Sequence, residues 1–178
     1  MLATGARDTS PHEDLSEAGV SVATAWSILD GSVAPGRNVL VVDHSRSDTG
    51  CSVAELVADS GGEAEVISRQ FHPAIDFGLT NTISLYRRLF RKNVELTAHH
   101  DLGPIRDGAV HLVNCFSGKE RRLIGLDLVV FVTVPTPNDE LLAPLQAAGV
   151  EVHAIGDCVA PGDIENATFE GHRVARTL

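Results

Sequence analysis

Two stretches of this chain carry residue types at spacings that could hold a nucleotide. The first is "DHSRSDTG", Asp43 to Gly50, which follows a run of valines and leucine. Ser45, Ser47 and Thr49 place hydroxyl donors at alternate positions. A helix beginning near Ser52 would add unpaired amides and the positive end of its dipole, which together suit an anion. Arg46 could offset Asp43 and Asp48, whose carboxylates repel phosphate. Gly50 stands alone where a dinucleotide loop would carry three glycines. A solvated loop with no ligand is the alternative. The second stretch is "IGDCVAPGD", Ile155 to Asp163. Gly156 would let the backbone come close to a pyrophosphate, and Asp157 could accept from a ribitol hydroxyl. Cys158 belongs to the same corner, and a helix start follows it. The plainer role for Asp157 is to cap the turn.

A third feature concerns the ribose. An acidic residue at the end of the second strand would mark NAD. Ser68 and Arg69 stand there instead, a pair better suited to a 2′-phosphate or an ADP phosphate. No acid, base or nucleophile can be named, because there is no G-x-S-x-G elbow and no carboxylate pair in an evident cleft. The eight histidines show no metal-ligand spacing. His99 and His100 are strand neighbours, which point to opposite faces. The three cysteines form no C-x-x-C pair, so neither a zinc site nor a disulfide scaffold is expected.

The elements that must position these residues follow from the apolar pattern. "NVLVVD" (38–43) reads as a buried strand, "CSVAELVADSGG" (51–62) as a helix stopped by two glycines, and "EAEVISR" as a second strand. Together they make a βαβ unit. Thr80 or Asn81 could cap the next helix, which runs to Asn93. "VELTAHH" is a third strand. Hairpins are expected with turns at Asp107-Gly108 and Ser117-Gly118. "LDLVVFVTV" (126–134) is the most apolar strand and should be central. A helix at 140–148, a closing strand "VEVHAIGD" and a last helix at 164–177 complete the chain. "VSVATAWSILDG" (20–31) reads as a short helix, and the acidic stretch before it as a loop. The fold class is therefore α/β, a Rossmann-like parallel sheet with an antiparallel crossover.

The formal charge of −10 argues against nucleic acid and anionic membrane as partners. "YRRLFRK" (86–92) is the local exception, expected as a solvated helix face. No leader or membrane-length apolar run is evident, and a cytoplasmic, reducing setting is expected.

"LATGARD" at the start, "TGCSVAELVADSGGEAEVIS", "LVVFVTVPTPNDEL" and "IGDCVAPGDIENATFEGHRVAR" resemble, in order and spacing, the carboxy-terminal part of the iron–sulfur flavoproteins typified by trimethylamine dehydrogenase and dienoyl-CoA reductase. The resemblance implies three segments. Residues 1–35 are a remnant of an FAD-type half-domain and linker, 36–150 an NAD(P)/ADP-type Rossmann-like domain, and 151–178 the closing strand and helix of the FAD-type half. It further implies that the barrel carrying FMN and a 4Fe–4S cluster, and the glycine-rich FAD loop, lie on a partner flavoprotein chain. FAD would then bind only where that chain completes the site. ADP held structurally, as in the trimethylamine dehydrogenase branch, is favoured at the first loop over a cycling NAD(P). One departure stands out. Where the family carries a glycine after the threonine of the central strand, this chain has Thr133 followed by Val134 and Pro135, which removes backbone freedom and a donor. A multi-chain oxidoreductase subunit and a non-catalytic nucleotide-binding or interaction protein are the two functions that follow. A piece of a longer reductase is a third reading.

Overall fold

The computed structural model describes residues 1–9 and 15–177. In chain order its elements begin with β1 (Ala6–Arg7), β2 (Ser21–Thr24), α1 (Ala25–Leu29), β3 (Asn38–Asp43), α2 (Thr49–Asp59) and β4 (Glu63–Ser68). There follow α3 (Leu79–Arg91), β5 (Glu95–Ala98), β6 (His100–Arg106), β7 (Ala109–Asn114) and β8 (Glu120–Leu123). β9 (Leu128–Val132), β10 (Thr136–Pro137), α4 (Leu142–Ala147) and α5 (Ile164–Ala175) complete the order. The chain divides into two compact units, Ser10–Thr133 and Met1–Thr9 with Val134–Leu178.

The larger unit is built on a five-stranded sheet in the order β2-β9-β3-β4-β5, parallel throughout. β3 is the middle strand, and β9 lies between it and β2. Parallel strands must be covered on both faces, which is why β3 and β9 are continuous apolar runs. Their alternate side chains part cleanly. Val39, Val41, Val130 and Val132 pack with Val53 and Val57 of α2 and Leu85 and Leu89 of α3. Leu40, Val42, Val129 and Phe131 pack with Val110 and Leu112 of β7. The antiparallel meander β6-β7-β8 therefore covers the face opposite the helices. This is the expected α/β architecture, with the crossover acting as a layer of the core.

Local signals explain the boundaries. Gly61 takes φ +82°, and a Cβ on Gly62 would stand 2.7 Å from the carbonyl oxygen of Gly36, so glycine alone fits where α2 turns into β4. Asn93 ends α3 at φ 58°. Arg88 donates to the Glu55 carboxylate at 3.0 and 3.1 Å, and Lys92 Nζ donates to Glu55 Oε1 at 2.9 Å. The basic stretch 86–92 thus clamps α3 to α2, and its hydrogen bonds hold the Glu55 carboxyl down at about 2.

Several expected elements differ. Residues 21–24 of the expected helix pair in parallel with β9, and only Ala25–Leu29 is helical, because Thr24 and Ser27 form a capping box that starts the helix late. α3 begins after Gly78, whose carbonyl accepts from both the amide and the hydroxyl of Thr82 at 3.0 Å, so Thr80 and Asn81 lie inside the helix. The fourth helix is shorter than expected, at Leu142–Ala147. The closing strand reduces to one parallel bridge, Leu2 with Ala154, because Leu2 offers only two ladder bonds, to His153 and from Ile155. The acidic loop expected before residue 20 lies partly outside the described residues. In the larger unit β2 pairs into the sheet and α1 packs Ala25 and Ile28 into the core on the helix side, and in the smaller unit the Asn138 side chain donates to the Thr4 carbonyl.

Core burial sets a measurable contrast. Leu40 is fully buried, whereas Ile164 is 86% exposed. Leu40→Ala is expected to cost about 2–5 kcal/mol and Ile164→Ala less than about 0.5 kcal/mol, read from denaturant midpoints of the two variants.

Candidate functional site

In a doubly wound sheet, ligands gather at the carboxyl ends of the strands. Here β3 delivers Asp43 to that edge, 2% exposed. Its Oδ1 accepts from the Ser45 amide and the Ser45 hydroxyl, both at 2.9 Å. Ser45 Oγ lies 2.8 Å from Ser47 Oγ, which donates to Thr49 Oγ1 at 2.9 Å. The Ser47 and Thr49 amides donate to the hydroxyls two residues before them. The three hydroxyls expected to face an anion are thus brought together, and they are bonded to one another and to Asp43. Burial, the largest influence, pushes the Asp43 carboxyl above its ordinary range, while the hydrogen bonds from Ser45 and the nearness of the Ala74 and Arg46 amides pull it down.

The cations are also engaged. Arg46, at φ 68°, makes a two-pronged contact with Asp76 at 2.6 and 2.8 Å, turned to that partner rather than to Asp43 or Asp48. Gly50 lies in the first turn of α2, packed against Asp43. Ser68, at the end of β4, is 1% exposed and accepts from the Gln70 amide at 3.2 Å. Arg69 donates to Asp101 Oδ2 at 2.6 Å, and His44 Nε2 lies 2.9 Å from Asp101 Oδ1. Burial works to raise the Asp101 carboxyl, but the bonds and charges of His44 and Arg69 outweigh it and hold it at about 2. Thr133 follows the last residue of β9, half-buried at the same carboxyl edge.

The smaller unit holds the second stretch. Gly156 takes φ +70°, and nothing lies within 4 Å of a Cβ placed on it, so glycine serves the turn here. Its amide donates to the Glu170 carboxylate on α5. Asp157 Oδ1 accepts from the Gly162 amide at 3.1 Å, the capping role, and Asp163 caps α5 through the Asn166 amide at 2.8 Å. Cys158 is buried, and its thiol donates to the carbonyls of Ile155 and Leu2 at 3.1 and 3.3 Å. A hollow of about 350 Å³ opens beside these residues, lined by Gly5, Gly156, Asp157, Asp163 and Ile164 among others.

Comparison with known proteins places this geometry. No protein-family model matches the chain. The N,N-dimethylglycine/sarcosine dehydrogenase of Chromohalobacter salexigens is 26% identical over 189 residues, covering 87% of this chain and 27% of that protein. Histamine dehydrogenase from Rhizobium sp. 4-9 superposes with a TM-score of 0.79 at 26% identity, over 99% of this chain and 30% of the other. The chain is a relative of the trimethylamine dehydrogenase-like flavoproteins. It matches their carboxy-terminal region and spans less than a third of their length. The fold alone recurs more widely: a thioredoxin reductase of T. acidophilum reaches a TM-score of 0.63 at 15% identity, over 99% of this chain and 63% of that one.

The trimethylamine dehydrogenase-like fold implies a dinucleotide and a flavin, so each stretch can be tested for fit. A pyrophosphate at the β3–α2 loop does not fit the residues as they stand. The loop hydroxyls and the Ser45 amide are engaged within the loop, the Arg46 guanidinium is engaged with Asp76, and two acids remain. In the smaller unit the hollow offers an acidic acceptor for the hydroxyls of a ribityl chain, but none of the residues lining it is cationic, so the diphosphate part does not fit. Sequence reasoning missed Glu170, Asp101 and Ala74. Glu170 lies fourteen residues beyond Gly156 on a helix that reads as solvated, and no local pattern pairs the two. Asp101, directly after a histidine pair in an apolar-polar alternation, was the more legible of the three.

Asp101 gives a pH test. Because its folded value lies below the unfolded one, its stabilisation is full above about pH 4 and is lost as pH falls toward about 2. Asp101→Asn is expected to cost about 1–2 kcal/mol at pH 7. In the Arg69→Gln variant, the Asp101 carboxyl resonance is expected to titrate at higher pH than in the parent.

Proposed function

We propose that the chain is the Rossmann-like component of a multi-chain flavoprotein oxidoreductase of the amine dehydrogenase, demethylase or enoate reductase type. It contributes the closing corner of an FAD-type site, Gly156, Asp157 and Cys158 before α5, together with a nucleotide-type domain. The barrel carrying FMN and the 4Fe–4S cluster, and the FAD loop that grips the diphosphate, come from a partner chain. The observation that carries this reading is the hollow at Gly156 and Asp157, lined by Asp157 and Asp163 and by no cation that would hold phosphate. The relatives support it, because they are oxidoreductases that extend well beyond the region matched here.

One observation favours a second reading, a non-catalytic interaction module derived from an ADP- or NAD(P)-binding domain. Of the donors expected to hold phosphate, Ser45 and the Gly156 amide are engaged with the chain's own carboxylates, and Ser47 and Thr49 with the neighbouring hydroxyls. On this reading the loop carries no working nicotinamide, and the larger unit acts as a scaffold.

Purified by itself, the chain is expected to retain no flavin through gel filtration, and co-expression with a barrel-bearing flavoprotein chain is expected to yield a complex showing the visible flavin band. Stoichiometric FAD on the isolated chain would overturn the shared-site reading. Calorimetric titration with ADP, ATP, NAD and NADP separates the two readings further: tight nucleotide binding without reduction of any flavin supports a non-catalytic nucleotide-binding module, the binding form of the second reading.

A further inference from the structure

A concave set of backbone amides is a ready cradle for an anion. Amides from two loops gather at the end of β3, those of Ser45 and Arg46 in the β3–α2 loop and that of Ala74 in the loop after β4, and the group lying among them is the Asp43 carboxylate. The Ser45 amide and hydroxyl donate to Asp43 Oδ1. The amides of Arg46 and Ala74 face the same carboxylate. Both of those residues sit in the left-handed region, at φ 68° and 57°, which side-chain-bearing residues adopt at a cost. What the two strained positions share is an amide turned toward Asp43.

Asp43 is itself all but sealed from solvent, and Oδ2 has no hydrogen bond of sound geometry among the described residues. A buried carboxylate oxygen in that condition is expensive to keep. The carboxylate also lies against the backbone a diphosphate would have to approach, because a Cβ on Gly50 would stand 3.2 Å from Asp43 Cβ and 3.3 Å from Cγ. The Arg46 guanidinium is held by Asp76, and the imidazole of His44 lies against Asp101.

We propose that Asp43 sets what this loop can bind: its carboxylate occupies the amide cradle as a built-in anion, and removing it uncovers a site for a diphosphate. The inference rests on the reading of the larger unit as a nucleotide-type domain and names the residue that closes it. It makes the refusal of pyrophosphate a property of one side chain, since the donors themselves remain in place.

The test uses the whole chain and inorganic pyrophosphate, followed by ADP. Asp43→Ser and Asp43→Gly are titrated by calorimetry beside the parent at pH 8, with circular dichroism to establish that each is folded. The parent is expected to give no saturable heat, and the variants to bind pyrophosphate about tenfold more tightly or better, with affinity falling as salt rises. Folded variants that bind no better than the parent overturn the inference, as does a parent that already binds pyrophosphate at the loop. If both variants fail to fold, the parent's amide resonances decide the matter. As Asp43 titrates, the backbone amide resonances of Ser45, Arg46 and Ala74 must shift together, and their indifference to that titration overturns the cradle. None of these outcomes touches the flavin-band measurement, so the inference can fail while the oxidoreductase reading stands.

Discussion

A strand buried on both faces has nowhere to put a polar group except at its ends. β3 meets that constraint in full: from Val39 to Val42 no side chain is more than 1% exposed, and the next residue is an aspartate. The parallel ladder on either side, with β9 and with β4, uses the backbone groups of the strand. Polarity therefore collects at the carboxyl edge, where Asp43 must be satisfied within a few residues or leave its charge uncompensated. The serine and threonine chain that follows, the left-handed turns at Arg46 and Ala74, and the close seating of α2 at Gly50 are all arranged around that one carboxylate.

The same logic recurs in the smaller unit with different parts. The Gly156 amide is answered by Glu170, and Asp157 and Asp163 spend an oxygen each on the backbone of their own turns. Helix starts and glycine corners attract anions because their amides are unpaired. In this chain, acids carried by neighbouring residues or by the next helix take several of those places. A sequence of formal charge −10 thus answers several of its own turn and helix-start amides with its own carboxylates.

Much of the architecture was legible before any coordinates. The valine runs of β3 and β9 announce buried parallel strands, the glycine pair at 61–62 and Asn93 mark helix ends, and the Asp-Gly and Ser-Gly turns locate the meander. What escaped depends on partners distant in sequence. Residues 21–24 have the composition of a helix start, and they are a strand only because β9, about a hundred residues later, lies beside them. The closing segment near Ala154 has a strand's composition but finds only Leu2 to pair with. At the site, the sequence names the donors only by type. Their direction is not legible there, because a sequence shows that Ser45 can donate and not that Asp43 has already claimed the bond.

The late insertion of β9 has a consequence for how the molecule is made. β3 pairs on one side with β4, which follows within a few tens of residues, and on the other with residues 128–132. As the chain leaves the ribosome, one flank of β3 therefore stays open while α2, α3 and the whole meander are synthesised. An open, apolar, uncharged strand edge is a template for pairing with another chain. Synthesis that stalls between residues 44 and 127 leaves that template exposed.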